Sequence, residues 1–241
     1  MEPAVAHVSI PSTSYERVII IGDVHGCHDE FEKILKSVEF RKDIDLLILV
    51  GDLLGKGPQS VATVRTVIRL GALCVRGNHE DNLIRSLRDP GGKHFIKRYP
   101  FGKDLSKQEV DWIINLPYTI TLPDAGLVVV HAGLVPGLPV HRQRPKDLMR
   151  MRTIDAQGRG SKEHASKDFT SWASVYPGPQ TVVFGHTARQ NLQVHPFAIG
   201  LDTGCVHGRQ LTALVVDQNG KRFVHVDAAK IYEEPETSTE L

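Results

Sequence analysis

An α/β fold with parallel strands follows from one pattern repeated three times, from the spacing of the repeats and from the glycines that close them. Arg17 to Gly22, Asp45 to Gly51 and Ala72 to Arg76 each hold an apolar, largely branched run of strand length, as in Val18-Ile19-Ile20-Ile21. Each run ends at a glycine and a residue with a ligand-type side chain: Gly22-Asp23, Gly51-Asp52 and Gly77-Asn78. Asp23 to Asp52 and Asp52 to Asn78 are 29 and 26 residues apart, which suits βαβ units of about 30 residues. Right-handed crossovers then bring Asp23, His25, Asp52, Asn78 and His79 to one edge of one sheet, where loops converge into a crevice.

Between these strands, Phe31, Ile34, Leu35 and Val38 recur at helical spacing and predict a helix over 28–40. A second helix is expected over 58–70, with Pro58 in the tolerated first turn, and a third over 79–87. Residues 90–103, containing Gly, Pro and Lys, read as a loop. Residues 106–115 read as a helix with Ser106 and Glu109 placed for a capping box. From Tyr118 the texture changes to short strands, expected at 118–122, 127–131, 181–184, 198–201, 210–216 and 222–226. Residues 136–166 are rich in Arg, Lys, Pro and Gly and read as a long loop over the site; 167–175 reads as a short helix carrying Trp172. One domain over 16–228 is expected, between a mobile tail at 1–15 and a polar tail at 229–241.

With 241 residues and 41% hydrophobic content the chain can bury a sizeable core. A net charge of +1 without a basic stripe argues against bulk electrostatic binding of nucleic acid. Cys27, Cys74 and Cys205 form neither a disulfide framework nor a zinc-ligand spacing; the pattern suits a reducing compartment, and Cys27 and Cys205 read as packing residues. No run reaches the ~18 apolar residues of a membrane span, and no secretory signal opens the chain, so the expectation is a soluble cytoplasmic protein with no membrane partner.

The chemistry gathers at strand ends. Asp23 and His25 sit in one glycine-bracketed turn and can hold a divalent ion. Val128-Val129-Val130 runs into His131, and Val182-Val183-Phe184 into Gly185-His186. Two Asp, one Asn and three His give six N/O donors, about what two divalent ions sharing a carboxylate require.

Gly22-Asp-Val-His-Gly26, Gly51-Asp-Leu-Leu-Gly-Lys-Gly-Pro58, Arg76-Gly-Asn-His-Glu80, His131-Ala-Gly133 and Gly185-His186 resemble, in order, the motifs of phosphoprotein-phosphatase-type metallophosphoesterases. The resemblance spans about residues 17–217. It implies a four-layer fold in which two mixed β-sheets lie between helices. It also implies two divalent ions: Asp23 and His25 on one, Asp52 bridging, and Asn78, His131 and His186 on the other. His79 would be the general acid, and Lys56 and Arg76 would contact phosphate. Manganese is the first expectation, although such donors accept Fe, Zn, Co or Mg with little distinction. No Ser or Cys stands in a nucleophile context, so transfer is expected directly to water.

One departure stands out. Protein serine/threonine phosphatases of this type carry an acidic residue, where this chain has Gly55, that hydrogen-bonds the acid histidine. Without that partner, His79 is expected to have either a lower pKa or another orienting group, Glu80 or a water. The Gly-Lys-Gly-Pro version resembles bacterial symmetrical diadenosine tetraphosphatases and their eukaryotic relatives, as does Leu201-Asp-Thr-Gly-Cys205. Arg150 and Arg152 resemble a basic cluster in the variable loop of those enzymes, suited to a polyphosphate chain. Asp202 is expected to brace its loop, His207 could line the site, and His7, His94, His141, His164 and His195 need no role. Trp172 is expected in the core, although adenine could stack on it if the 136–166 loop folds over the site.

The expected reaction is metal-dependent hydrolysis of a phosphoanhydride in a nucleoside polyphosphate, with diadenosine tetraphosphate giving two ADP. The same site could serve phosphoserine or phosphothreonine, inorganic polyphosphate or an mRNA cap, and Gly55 argues against the first pair. The rival of another class is an inactive metal-binding scaffold presenting its loops to a partner.

Overall fold

The computed structural model describes residues 1–88 and 99–235. The three expected parallel strands are present as β2 (Arg17–Ile21), β3 (Asp45–Leu49) and β4 (Leu73–Cys74), paired side by side in chain order. Their crossovers are α1 (His28–Ser37) and α2 (Ser60–Leu70), the latter closed by Gly71 at φ 67°. That left-handed C-terminal position is one that glycine adopts without a Cβ penalty. Two late strands, β13 (Gln210–Asp217) and β14 (Gly220–Asp227), add antiparallel to β2 and give the order β14-β13-β2-β3-β4.

A second, six-stranded sheet holds β1 (His7–Ser9), β5 (Thr119–Leu122), β6 (Leu127–Val130), β10 (Thr181–Phe184), β11 (Gln193–His195) and β12 (Ala198–Gly200), in the order β1-β5-β6-β10-β12-β11. Strand alternation explains how the layers stack. Val18, Ile20, Leu46 and Ile48 point to one face of the first sheet, where they meet Ile120, Val129, Val183 and Ile199 of the second. Ile19, Ile21, Leu47 and Leu49 point to the other face and pack on Phe31 and Ile34 of α1 and Val67 of α2. The outer face of the second sheet, through Val128, Val130, Val182 and Phe184, receives Trp172 and Leu148 and Met149 of α5 (Pro145–Arg150). Both sheets are therefore covered on both faces, which is the four-layer arrangement expected. Each fully buried Ile, Leu or Val contributes about 1.5–3 kcal/mol.

The helix α3 (Asn78–Arg88) starts immediately behind the third strand end. It packs with α4 (Lys107–Ile114), whose capping box is formed: Glu109 N–H donates to Ser106 Oγ at 3.2 Å and Ser106 N–H to Glu109 Oε2 at 2.6 Å. None of the helices among the described residues is long and apolar enough to cross a membrane.

Four expectations are corrected. The 1–15 segment is not wholly a tail, because β1 pairs parallel with β5, His7 opposite Thr119. Residues 136–166 are not one loop: they contain α5 and two strands, β7 (Thr153–Asp155) and β8 (Gly160–Ser161), which with β9 (Phe169–Ser171) make a small third sheet. The helix expected over 167–175 is β9 followed by a short 3-10 turn, Trp172–Val175. The expected polar tail is tied down over 229–233: buried Glu30 accepts from Ala229 N–H and the Tyr232 hydroxyl, both at 2.9 Å, and Val206 O accepts from the Tyr232 and Glu233 amides. Residues 90–98 of the expected loop, His94 included, and 236–241 of the C-terminal tail lie outside the described residues.

Candidate metal centre

All of the strand-end donors meet. Backbone hydrogen bonds stitch the first two loops together, His25 N–H to Asp52 O and Gly26 N–H to Leu53 O, each 2.8 Å. Gly185 N–H donates to His131 O at 2.8 Å and ties the two histidine strands of the second sheet. His25, Asp52, Lys56 and His186 all sit at positive φ, 50°, 49°, 65° and 67°. Non-glycine residues seldom adopt that region, and each costs about 1–3 kcal/mol that the surrounding structure must offset. The strain turns these side chains toward a single point.

Asp52 is the centre of that point. Its Oδ2 lies 3.6 Å from His25 Nε2 and 3.5 Å from His131 Nε2, while His25 Nε2 is 4.0 Å from Asp23 Oδ2. Its Oδ1 is held by the His79 amide at 2.9 Å. Two clusters of candidate ligands share this one carboxylate: His25, Asp52 and His79, and Asp52, His131 and His186. Asn78 Oδ1 is 3.0 Å from His131 Nε2, and the His186 amide donates to Asp23 at 3.1 Å.

Three features of the donor set fit bound cations. His131 Nδ1 lies 2.8 Å from Val50 O; donating there leaves Nε2 as a lone pair facing the Asn78 carbonyl, two acceptors aimed at the same place. His186 Nε2 is buried without a hydrogen-bond partner among the described residues. The charges are also wrong for an uncompensated interior. Burial pushes Asp52 up to about 7 and Asp23 well above the carboxylate range, the latter helped by Asp202 and Asp52. Burial likewise holds His25 and His186 far below the usual imidazole range and His131 down to about 4, so all three are neutral donors at pH 7.

The calcineurin-like phosphoesterase family matches residues 16–190. The chain belongs to this family. As a calcineurin-like phosphoesterase it is a metallophosphoesterase and a hydrolase, of a family that depends on metal. It is 29% identical to the symmetrical bis(5'-nucleosyl)-tetraphosphatase of Nitrosococcus oceani, over 87% of this chain and 96% of that protein. It is 31% identical to the asymmetrical bis(5'-nucleosyl)-tetraphosphatase PrpE of Anoxybacillus flavithermus, over 81% of this chain and 88% of that one. A crystal structure described provisionally as a diadenosine tetraphosphatase superposes with a TM-score of 0.84 at 37% identity, covering 93% of this chain and 98% of the other.

A cavity of about 290 Å³ opens over the centre of this phosphoesterase, lined by Asp23, His25, Asp52, Asn78, His79 and His186. Lys56, Arg150 and Arg152 line it too. Arg76 does not. Its side chain is 1% exposed, hydrogen-bonded to the carbonyls of Ile114 and Met1, and lies over the Tyr118 ring. It leaves the strand end on the side away from the cavity, so the expected phosphate contact is replaced by a structural one.

Glu80 is corrected as well. Its carboxylate accepts from the amides of Asp52, Leu53 and Gly77, each at 2.9 Å, and so clamps the second loop to the third instead of orienting His79. Tyr99 does meet His79, its Oη 3.2 Å from Nδ1. Asp202 braces its loop through the Gly204 amide and also lines the cavity, beside His207. His164, Arg189 and Arg209 line it without any warning in the sequence, because they arrive on loops with no periodic signal. Trp172 is core: 1% exposed, with Nε1 donating to Ala132 O, it offers no face to a base.

Proposed function

We propose that this phosphoesterase hydrolyses a phosphoanhydride bond of a dinucleoside polyphosphate, with diadenosine tetraphosphate giving two ADP. What carries the reading is the convergence of five other N/O donors around the Asp52 carboxylate beneath a cavity lined by Lys56, Arg150 and Arg152. Asp23 and His25 would hold one divalent ion, Asn78, His131 and His186 the other, and Asp52 both, with manganese the first candidate. When bound, such ions neutralise phosphate oxygens and activate water for in-line attack.

The side chains divide the remaining work. Lys56, Arg150 and Arg152 bind the anionic chain and keep its charge off the carboxylates. Arg150 is aimed by Asn82 Oδ1 at 2.7 Å and Asp81 at 3.2 Å. His79, at the start of α3, gives a proton to the departing phosphate oxygen. A departing nucleotide is a weaker base than the alkoxide of serine, so it asks less of the acid. That fits a site in which Gly55 offers the histidine no carboxylate. The three unbridged cysteines support residence in a reducing cytoplasm.

The asymmetrical cut, giving ATP and AMP, is a second reading supported by the 31% identity to the asymmetrical enzyme. Product analysis separates the two, and parallel rates with Mn²⁺ test the class. Diadenosine tetraphosphate is expected to be hydrolysed faster than capped RNA, polyphosphate or a phosphopeptide, with ADP as sole product. ATP with AMP would replace the symmetrical reading; a phosphopeptide as best substrate would overturn the whole proposal.

A further inference from the structure

We infer that Tyr99 is the positioning residue for His79, its phenol oxygen standing in for the carboxylate that position 55 cannot supply. The inference rests on the reading of His79 as the acid. Gly55 is not simply a missing acid. It sits at φ 85°, and a Cβ there would lie 2.4 Å from His79 Nδ1 and 3.2 Å from the Tyr99 ring. The imidazole lies against the glycine, so no side chain fits from that direction.

Tyr99 approaches Nδ1 from another side, with its ring edge-on to the imidazole at 5.9 Å between centroids. It is 3% exposed, wedged among Leu54, Val64, Leu83, Ile84 and Ile113, and edge-on to Phe101. When His79 carries both protons, Nδ1–H donates to Tyr99 Oη, and Nε2–H is the proton available to the leaving oxygen. The same oxygen lies 3.5 Å from Asn82 Nδ2, and Asn82 Oδ1 accepts from Arg150 at 2.7 Å. A line of contacts thus runs from a cavity-lining arginine to the acid. Because the phenol is neutral, it fixes the ring's orientation without adding charge.

The test exploits leaving groups. Wild type, Tyr99→Phe, His79→Asn and the double variant are compared, with Mn²⁺, on p-nitrophenyl phosphate and phenyl phosphate. Nitrophenolate departs with little help, whereas phenolate needs a proton. Tyr99→Phe keeps the ring, and a wild-type melting temperature and metal content certify its fold. Its kcat on phenyl phosphate is expected to fall about tenfold or more, and on p-nitrophenyl phosphate by less than about threefold, with KM unchanged. His79→Asn is expected to show the same bias more strongly, and the double variant to match it. Equal losses on both substrates in Tyr99→Phe, or none, overturn the positioning role. A His79→Asn variant without leaving-group bias removes the acid assignment itself, and the role of Tyr99 falls with it.

Discussion

Asp52→Asn is expected to lose metal and hydrolysis together. Asp52 Oδ2 stands between His25 and His131, and among the described residues no other side chain belongs to both candidate ligand clusters. Asparagine preserves the shape and the Oδ1 contact to the His79 amide, so the fold survives, but the shared anionic oxygen is gone. Turnover should fall by about 10³-fold or more, the scale of removing the main electrostatic stabiliser of a reaction. Elemental analysis should find less than about one ion per chain, since a neutral amide is a poor bridge between cations. The wild-type pH dependence follows from the same residue. Burial pushes Asp52 up to about 7 in the protein alone, so an incoming ion must displace a proton as pH falls below that value. Apparent affinity should then weaken by about tenfold per pH unit per proton released. An Asp52→Asn protein that keeps two ions contradicts the bridging assignment.

His79→Asn is expected to separate metal from chemistry. The side chain lines the cavity within ligand distance of His25 and Asp52, but its Nδ1 is engaged by Tyr99 and its amide by Asp52 Oδ1. Its role in this account is proton transfer, so the variant should keep both ions. Turnover of phenyl phosphate should fall by about 10²–10⁴-fold, the range for a lost general acid. A dinucleoside polyphosphate, whose leaving group is a weaker base, should suffer less. Loss of an ion in His79→Asn would make the residue a ligand instead of an acid.

The parts of this site that could be read from the sequence are those in which burial and chemistry sit next to each other. Apolar runs such as Val18 to Ile21 signal buried strands, and the residue after each glycine signals what the strand presents. The parallel order of β2, β3 and β4 then places Asp23, Asp52 and Asn78 together without further information. Tyr99 could not be found this way. It lies within a Gly/Pro/Lys-containing stretch with no periodicity, and its meaning depends on packing between α3 and α4. Arg76 misled for the opposite reason: it stands inside a strong motif, yet its side chain leaves the strand end toward Tyr118 and Ile114. The strands β1, β7, β8 and β9 span two or three residues each. That is too short for alternation to register; β1 exists because β5, far along the chain, is there to pair with, while β7, β8 and β9 pair locally with one another.

The number of ions the chain holds is the most direct test of a centre shared through Asp52. Calorimetric titration of metal-free protein with Mn²⁺ at pH 7.5 should give two ions per wild-type chain, with protons released on binding. A single ion, or none, would contradict a centre built on Asp52 as a shared ligand.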